Sequence, residues 1–300
     1  MRTESLEQVN ALDRAASAFV GLRPRLFGIA YRMLGSAVEA EDILQEVWLR
    51  WQNTDRSTVE NPPAFLAMIT TRLAINVAQS ARSRREAYIG PWLPEPVDTS
   101  MDPTLGAERG EALELAFLLL LERLTPTERA AYVLREAFVY AYPQIAEILQ
   151  VSTVNARQLV SRARKRLSAA RREPIDKTEH RRLLAVFLDA AQTGNIAALE
   201  DLFAADVVSS SDGNGIRGAA RFPLLGGARV AKFLVAYAPR FWPGAKLTWV
   251  EVNGRAGVLV PRNRTEVTLL TIEASPEGIH HVMWIVNPAK LGAYDRSGGG

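Results

Sequence analysis

The sequence predicts a multidomain chain: two all-α domains, the second containing a helix-turn-helix, followed by an α+β domain. Three observations carry this. Apolar residues recur at helical spacing through much of the first 170 positions. Residues 142–167 read as two short helices joined by a tight turn, the second strongly basic. After Pro174 two helices give way to short apolar, β-branched runs separated by turn residues. The predicted boundaries are a helical domain at 1–86, a proline-rich linker at 87–107, a helix-turn-helix domain at 108–173, an α+β domain at 174–295 and a flexible tail at 296–300. Three hundred residues suit two or three domains at roughly 150 residues each.

Composition narrows the function classes. An apolar content of 48% is ample for several cores, and a net charge of +3 makes basicity local rather than global. There is no cysteine, which excludes disulfides, thiolate zinc sites and cysteine nucleophiles and fits a reducing cytoplasm. The polar, acid-bearing stretch Met1 to Asn10 does not read as a signal peptide, and the apolar run Leu115 to Leu121 is too short to span a bilayer. A membrane partner is therefore not expected, and no motif calls for a cofactor or metal.

In the first domain, Phe19, Leu22, Leu26, Phe27, Ala30, Tyr31 and Leu34 keep helical spacing until Gly35-Ser36 breaks it. The next helix places Ile43, Leu44 and Val47 inward. Glu41, Asp42, Gln45 and Glu46 lie on its other side, with Trp48 and Trp51 nearby. An acidic face edged by tryptophan suits protein docking, since Trp is enriched at hot spots. Asn61-Pro62-Pro63 starts a helix from Ala64 to about Arg85, because proline suits the first turn. Phe65, Leu66, Ile69, Leu73 and Val77 are expected inward; Thr70, Arg72, Asn76, Gln79, Arg82, Arg84 and Arg85 are expected outward. Acid near 39–46 and base near 72–85 suggest a protein partner on one side and a phosphate backbone on the other.

The linker holds Trp92, Leu93, Pro94, Glu95 and Pro96, stiffened by its prolines. An apolar Trp-Leu pair gains by leaving water, so Trp92 and Leu93 are expected to dock. Beyond it, Leu124-Thr-Pro-Thr-Glu-Arg129 is a stop and restart: Thr125 caps, Pro126 opens the helix and Glu128 completes a capping box.

Ile145, Ile148 and Leu149 mark the first helix of the helix-turn-helix, and Gln150-Val151 form its glycine-free turn. Ser152 or Thr153 can cap the second helix, which buries Ala156, Leu159, Ala163 and Leu167. Asn155, Arg157, Gln158, Ser161, Arg162, Arg164 and Lys165 occupy its other faces. From Thr153 to Arg172 there are seven Lys or Arg and no acid, a sign pattern that calls for a polyanionic partner such as a DNA major groove.

Together these stretches resemble the bacterial RNA polymerase sigma factors of the extracytoplasmic-function (ECF) type. The resemblance is carried by Tyr31-Arg-Met-Leu-Gly-Ser36, Ala40-Glu-Asp-Ile-Leu-Gln-Glu-Val-Trp48, Arg72-Leu-Ala-Ile-Asn76, the capping segment 124–129 and the helix-turn-helix. The last domain looks like a SnoaL-like (NTF2-like) fold, and this pairing, with the linker Trp92-Leu-Pro-Glu-Pro96, is similar to the SigJ-like subgroup. Two subgroup motifs are altered. An Asp-Gly-Gly-Gly-Lys turn stands here as Asp212-Gly-Asn-Gly-Ile216, keeping Gly213 and Gly215. An Asn-Pro-Asp-Lys-Leu tail stands as Asn287-Pro-Ala-Lys-Leu291, keeping Asn287 and Pro288.

The resemblance implies roles residue by residue. Glu41, Asp42, Gln45, Glu46 and Trp48 would grip the clamp helices of the largest polymerase subunit. Arg72, Asn76, Arg82, Arg84 and Arg85 would lie at the downstream promoter element. Asn155, Arg157, Gln158, Ser161 and Arg162 would read the upstream element, with Arg164, Lys165 and Arg166 on phosphates. The last domain would be an intramolecular regulator whose Asp212 loop meets Trp92-Leu93, and the protein a cytoplasmic monomer. SnoaL relatives include enzymes, so Asp206, Asp212, Glu251, Glu266, His280 and His281 are weighed as acids or bases. They form no ordered set, and adjacent histidines on a strand face opposite ways, so no catalysis is expected. An unspecified small ligand in this domain stays open. The competing reading is a helix-turn-helix regulator with a ligand-sensing domain, which has no obvious use for the acidic Trp-bearing helix.

Overall fold

Helix α1 (Arg2–Leu34) ends where Gly35 turns left-handed at φ 65° and its N–H reaches Tyr31 O at 2.7 Å. Ser36 then caps α2 (Ala37–Asn53), its side chain accepting from the Glu39 N–H at 3.2 Å. Asn61 caps α3 (Pro62–Glu86) through the Ala64 N–H. A computed structural model describes residues 2–100, 113–168, 170, 172–263 and 266–294, with side chains at all of these except 2–14 and 82–84. The tail and the end of the predicted linker lie outside the described residues.

The chain divides into two units. The first comprises Met1–Arg84, Ala107–Ala112 and Leu120–Ala170; the second comprises Arg85–Gly106, Leu113–Leu119 and Arg171–Gly300. In the first, α1 and α2 bury Leu26, Ile29, Ala30, Tyr31, Ile43, Leu44 and Val47. The buried face of α3 departs from the expected one. It consists of Leu66, Ala67, Thr70, Thr71, Ala74 and Ala81, while Phe65, Ile69, Leu73 and Val77 stay half-buried. The threonines tolerate burial because each hydroxyl donates to a carbonyl four residues back, Leu66 O at 2.8 Å and Ala67 O at 2.7 Å.

After α4 (Leu115–Leu121) comes α5 (Pro126–Glu136). Its capping box is formed: Thr125 Oγ1 accepts from the Glu128 N–H at 3.3 Å, and Glu128 Oε2 accepts from the Thr125 N–H at 3.1 Å. Helices α6 (Tyr142–Leu149) and α7 (Thr153–Ser168) make the helix-turn-helix and pack on α5. Buried Arg129 donates to Arg32 O at 2.8 Å, so α1 and α5 share a polar seam inside this unit.

The second unit is α+β. Helices α8 (Lys177–Thr193), α9 (Ile196–Leu202) and α10 (Gly227–Phe241) accompany a six-stranded sheet. Its strands are β1 (Phe203–Asp212), β2 (Leu224–Leu225), β3 (Thr248–Val252), β4 (Arg255–Pro261), β5 (Val267–Ser275) and β6 (Gly278–Ile285), in the order β2-β1-β6-β5-β4-β3. The sheet is mixed: β1 runs parallel to β6, and the other pairings are antiparallel. The helices cover one face, over a core that includes Phe187, Val207, Leu234, Val258, Leu270 and Val282. Among the described residues, no helix is long and apolar enough to cross a membrane.

Candidate functional site

The helix-turn-helix turns without glycine because Gln150 itself adopts the left-handed conformation, φ 54° and ψ 48°. For a side-chain-bearing residue that costs about 1 kcal/mol, offset here by the Val151 N–H on Ala146 O at 2.9 Å. Ser152 is the cap of α7, accepting from the Asn155 N–H at 3.1 Å. Ala156, Leu159, Val160, Ala163 and Leu167 are buried. Arg157, Gln158, Ser161, Arg162, Arg164 and Lys165 are exposed and Asn155 is half-buried.

The one-signed character of α7 is tempered by acids that the local sequence does not show. Glu136 of α5 pairs with Arg164 at 2.7 Å, and Glu128 pairs with Arg166 at 2.6 Å and lies 3.6 Å from Arg162. The outward cations with no ion pair among the described residues are Arg157, whose guanidinium lies 5.5 Å from the Tyr142 ring centroid, and Lys165.

Three of the five downstream candidates, Arg72, Asn76 and Arg85, have described side chains. Arg72 directs Nε to Ile148 O at 3.1 Å and Nη2 toward Glu147 O, satisfying carbonyls at the C-terminal end of α6. Arg85 stacks on the Trp92 ring at 3.6 Å. Asn76 is exposed, and the side chains of Arg82 and Arg84 lie outside the described residues. On α2, Asp42 and Gln45 are exposed, between Val38 and Leu49, which are 57% and 52% exposed on the same helical stripe. Glu41 pairs with Arg23 and Glu46 with Arg50. Trp48 packs on Phe19 at 5.2 Å. Trp51 is a core residue and not part of this edge: its indole N–H donates to Ala15 O at 3.1 Å.

In the second unit, linker residues Tyr88 and Leu93 meet the C-terminal end of β1. The fully buried Asp212 carboxylate organises the contact. It accepts from the Tyr88 hydroxyl, from the Leu93 N–H at 2.7 Å and from Lys290 Nζ at 2.6 Å. Lys290 also donates to Leu93 O and lies 4.4 Å from the Trp92 ring centroid, so Trp92 meets two cations. Asn287 donates to the Tyr88 hydroxyl at 3.0 Å, and Pro288 opens the short helix that carries Lys290. Burial pushes the Lys290 ammonium down while Asp212 opposes the shift; burial and then Asp212 push the Tyr88 phenol up.

Further along, Asn253 Oδ1 accepts from the Val97 N–H at 2.9 Å, and Thr99 donates to Glu251 at 2.6 Å. Leu93, Pro94, Glu95, Pro96 and Val97 are buried. The loop after Asp212 is built for close approach. Gly215 sits at φ 85° against Ile89, and a Cβ on Gly213 would lie 2.4 Å from that of Ala219.

Known families match both helical stretches. Sigma-70 region 2 matches residues 19–85, and Sigma-70, region 4 matches residues 114–167. The ECF RNA polymerase sigma factor SigJ of Mycobacterium tuberculosis is 36% identical over 233 residues, covering 76% of this chain and 74% of that protein. The chain belongs to the ECF RNA polymerase sigma factors. A probable ECF sigma factor SigI of the same species is 28% identical, with 93% of this chain and 95% of that protein covered. The crystal structure of M. tuberculosis SigJ superposes with a TM-score of 0.75 at 30% identity, over 93% of this chain and 98% of that one. Membership of the sigma family decides against the free-standing regulator.

In this sigma factor the weighed acids are already engaged. Glu251 holds Thr99, Glu266 closes a turn with Asn263 at 2.7 Å, and Asp212 holds the linker. The two histidines do face opposite ways: His281 binds Ser210 at 2.9 Å, and His280 lies between Ser275 at 2.7 Å and Asp206 at 2.6 Å. That Ser-His-Asp order was not expected, because Ser275 was not a candidate. Its hydroxyl oxygen is buried and accepts from the Glu277 N–H at 3.1 Å, which fastens the β5–β6 turn. Sequence reading also missed Tyr88, Asn253 and Lys290. Asn253-Gly254 is visible as a turn, but nothing local says that its amide grips the linker.

Proposed function

We propose that this sigma factor directs core RNA polymerase to promoters and that its SnoaL-like domain regulates it from within the same chain. The α2 stripe of Val38, Asp42, Gln45 and Leu49, with Glu41, Glu46 and Trp48, docks on the clamp helices of the largest subunit. Asn76 and the basic end of α3 meet the downstream element. In α7, Arg157 and Gln158 reach base edges and Lys165 a phosphate. The factor acts in the cytoplasm as a monomer.

One observation carries the regulatory half: the buried Asp212–Lys290 pair holds Tyr88 and Leu93, on the segment that joins regions 2 and 4. A docked linker removes the conformational freedom that two promoter-reading regions need to span their elements. Catalysis is not part of the reading, because Ser275 is spent on its turn, Asp212 and Glu251 on the linker, Glu266 on Asn263, and Asp206 on His280 and Arg172. The test is run-off transcription with core polymerase, comparing the full chain, the Asp212→Ala variant and a chain ending at Arg172. Both changes are expected to alter initiation in the same direction. Equal transcripts from all three would remove the regulator, and no polymerase-dependent transcript from any would remove the promoter role.

A further inference from the structure

On the helix-covered face of the sheet, between α10 and β1, β5 and β6, lies a pocket of about 190 Å³. Five aromatic side chains line it. Phe241 meets Trp284 edge-on at 5.3 Å and Trp242 edge-on at 4.8 Å, and Phe233 and Tyr237 complete the α10 side. Such a slot favours a flat apolar body. The volume is below that of drug-sized clefts, which start at about 300 Å³, so the occupant is limited to one ring or two fused rings.

Two features demand a polar group on that body. Thr268, on the pocket wall, is 1% exposed, and its hydroxyl has no hydrogen-bond partner. Buried polar atoms in folded proteins are nearly always paired, so an orphan beside a cavity points to a missing acceptor or donor. The Trp284 indole cannot play that part, since it already donates to Ser209 at 3.2 Å. Arg240 and Arg262 also line the pocket, and among the described residues no Asp or Glu does. Arg262 spends one donor on Arg217 O at 3.0 Å, which leaves the rest of its fork available.

We propose that this pocket binds a small aromatic monocarboxylate: the ring between the α10 aromatics and Trp284, the carboxylate on Arg262 and Arg240, and one oxygen on the Thr268 hydroxyl. Charge-assisted bonds from Arg to carboxylate are the strong ones, so the charge sets the preference over a neutral ligand of the same shape.

The probe is 1-naphthoate, with 1-naphthamide as its uncharged equal in size, titrated calorimetrically into the full-length protein. Binding is read directly, so its failure leaves the linker reading untouched. One-to-one saturation by naphthoate is expected, with naphthamide at least tenfold weaker. Arg262→Gln should weaken naphthoate at least tenfold and naphthamide less than twofold, and Thr268→Val should weaken both severalfold. Arg240→Gln, at an exposed position, repeats the charge test without risk to the fold. Absent saturation, equal affinity for acid and amide, or naphthoate binding indifferent to all three substitutions would each overturn the assignment.

Discussion

Replacing Asp212 with alanine tests the clamp where it is most concentrated. The carboxylate is fully buried and Lys290 is 12% exposed, so the substitution strands an ammonium, the Tyr88 hydroxyl and the Leu93 N–H together. Removing one partner of a buried ion pair costs about 3–5 kcal/mol, and each orphaned neutral donor about 1–3 kcal/mol more. The chain has a cheaper course than bearing all of this, which is to release residues 88–93 and let the three groups find water. The loss therefore surfaces as undocking, at about 3 kcal/mol or a factor of roughly 10². Hydrogen exchange on the full chain reads it: amides of residues 88–99 should lose that protection while β5 and β6 keep theirs. A companion Asp212→Ala, Lys290→Met variant should recover part of the protection, because no charge is left buried. Unchanged exchange at 88–99 in Asp212→Ala would refute the clamp. Equal loss across the sheet would show Asp212 to be a folding residue rather than a linker lock.

Other predictions rest on separate contacts. Arg157→Ala should cost promoter DNA binding about 1–3 kcal/mol and relax base preference at one position, whereas Lys165→Ala should weaken all sequences alike and lower the salt slope by about 1; titration across ionic strengths separates them. Glu128→Ala removes half a capping box and the partner of Arg166, so the melting of the helical unit should reveal a loss of about 2–3 kcal/mol, with Glu128→Gln losing less. His180 is buried, its Nε2 on Ile272 O, and burial holds its pKa down to about 4. Unfolding lets it take a proton below pH ~6.5, so its stabilisation is whole above that pH and is lost as pH falls towards 4, by about 3 kcal/mol. His180→Asn should flatten that slope in denaturant titrations between pH 4 and 7.

What the sequence makes legible is mostly local. The capping box at Thr125, the Ser36 break and the helix-turn-helix depend on residues within four or five positions of each other, and all are formed. The two-sided setting of His280 and His281 follows from strand alternation alone. What escapes is contact between distant segments. The sign argument for α7 counts charges on one helix and cannot see Glu128 and Glu136 arriving from α5. Arg72 reads as an outward cation, yet the nearest acceptors are carbonyls 75 and 76 residues away. The expected inward face of α3 follows its large apolar side chains, whereas the buried face runs through Leu66, Ala67, Ala74 and threonines that satisfy their own hydroxyls. The parallel pairing of β1 with β6 leaves no trace in any turn, since most of the domain lies between them. The altered motifs are instructive in the same way. Asn214 stands at φ 45° where the subgroup motif has a glycine, and Lys290, kept in the tail motif, pairs with Asp212.

The pocket and the clamp occupy opposite faces of the same strands, and this sets how one can act on the other. Ser211 lines the pocket and Asp212, next along β1, holds the linker; Trp284 on β6 and Val286 just beyond it line the pocket, and the following Asn287 binds Tyr88. A ligand shifts an equilibrium only by its differential affinity for the two states. The pocket is shaped while the linker is docked, so an occupant favours docking to the extent that undocking would loosen this shape. A tenfold preference for the docked state corresponds to about 1.4 kcal/mol, and it raises exchange protection at residues 88–99 tenfold at saturation. Saturating 1-naphthoate should therefore slow exchange there in the wild-type chain and have less effect in Asp212→Ala, where little docked state remains to be favoured. Binding without any change at 88–99 would mean that the two faces work independently, and that the clamp is set by something other than this pocket.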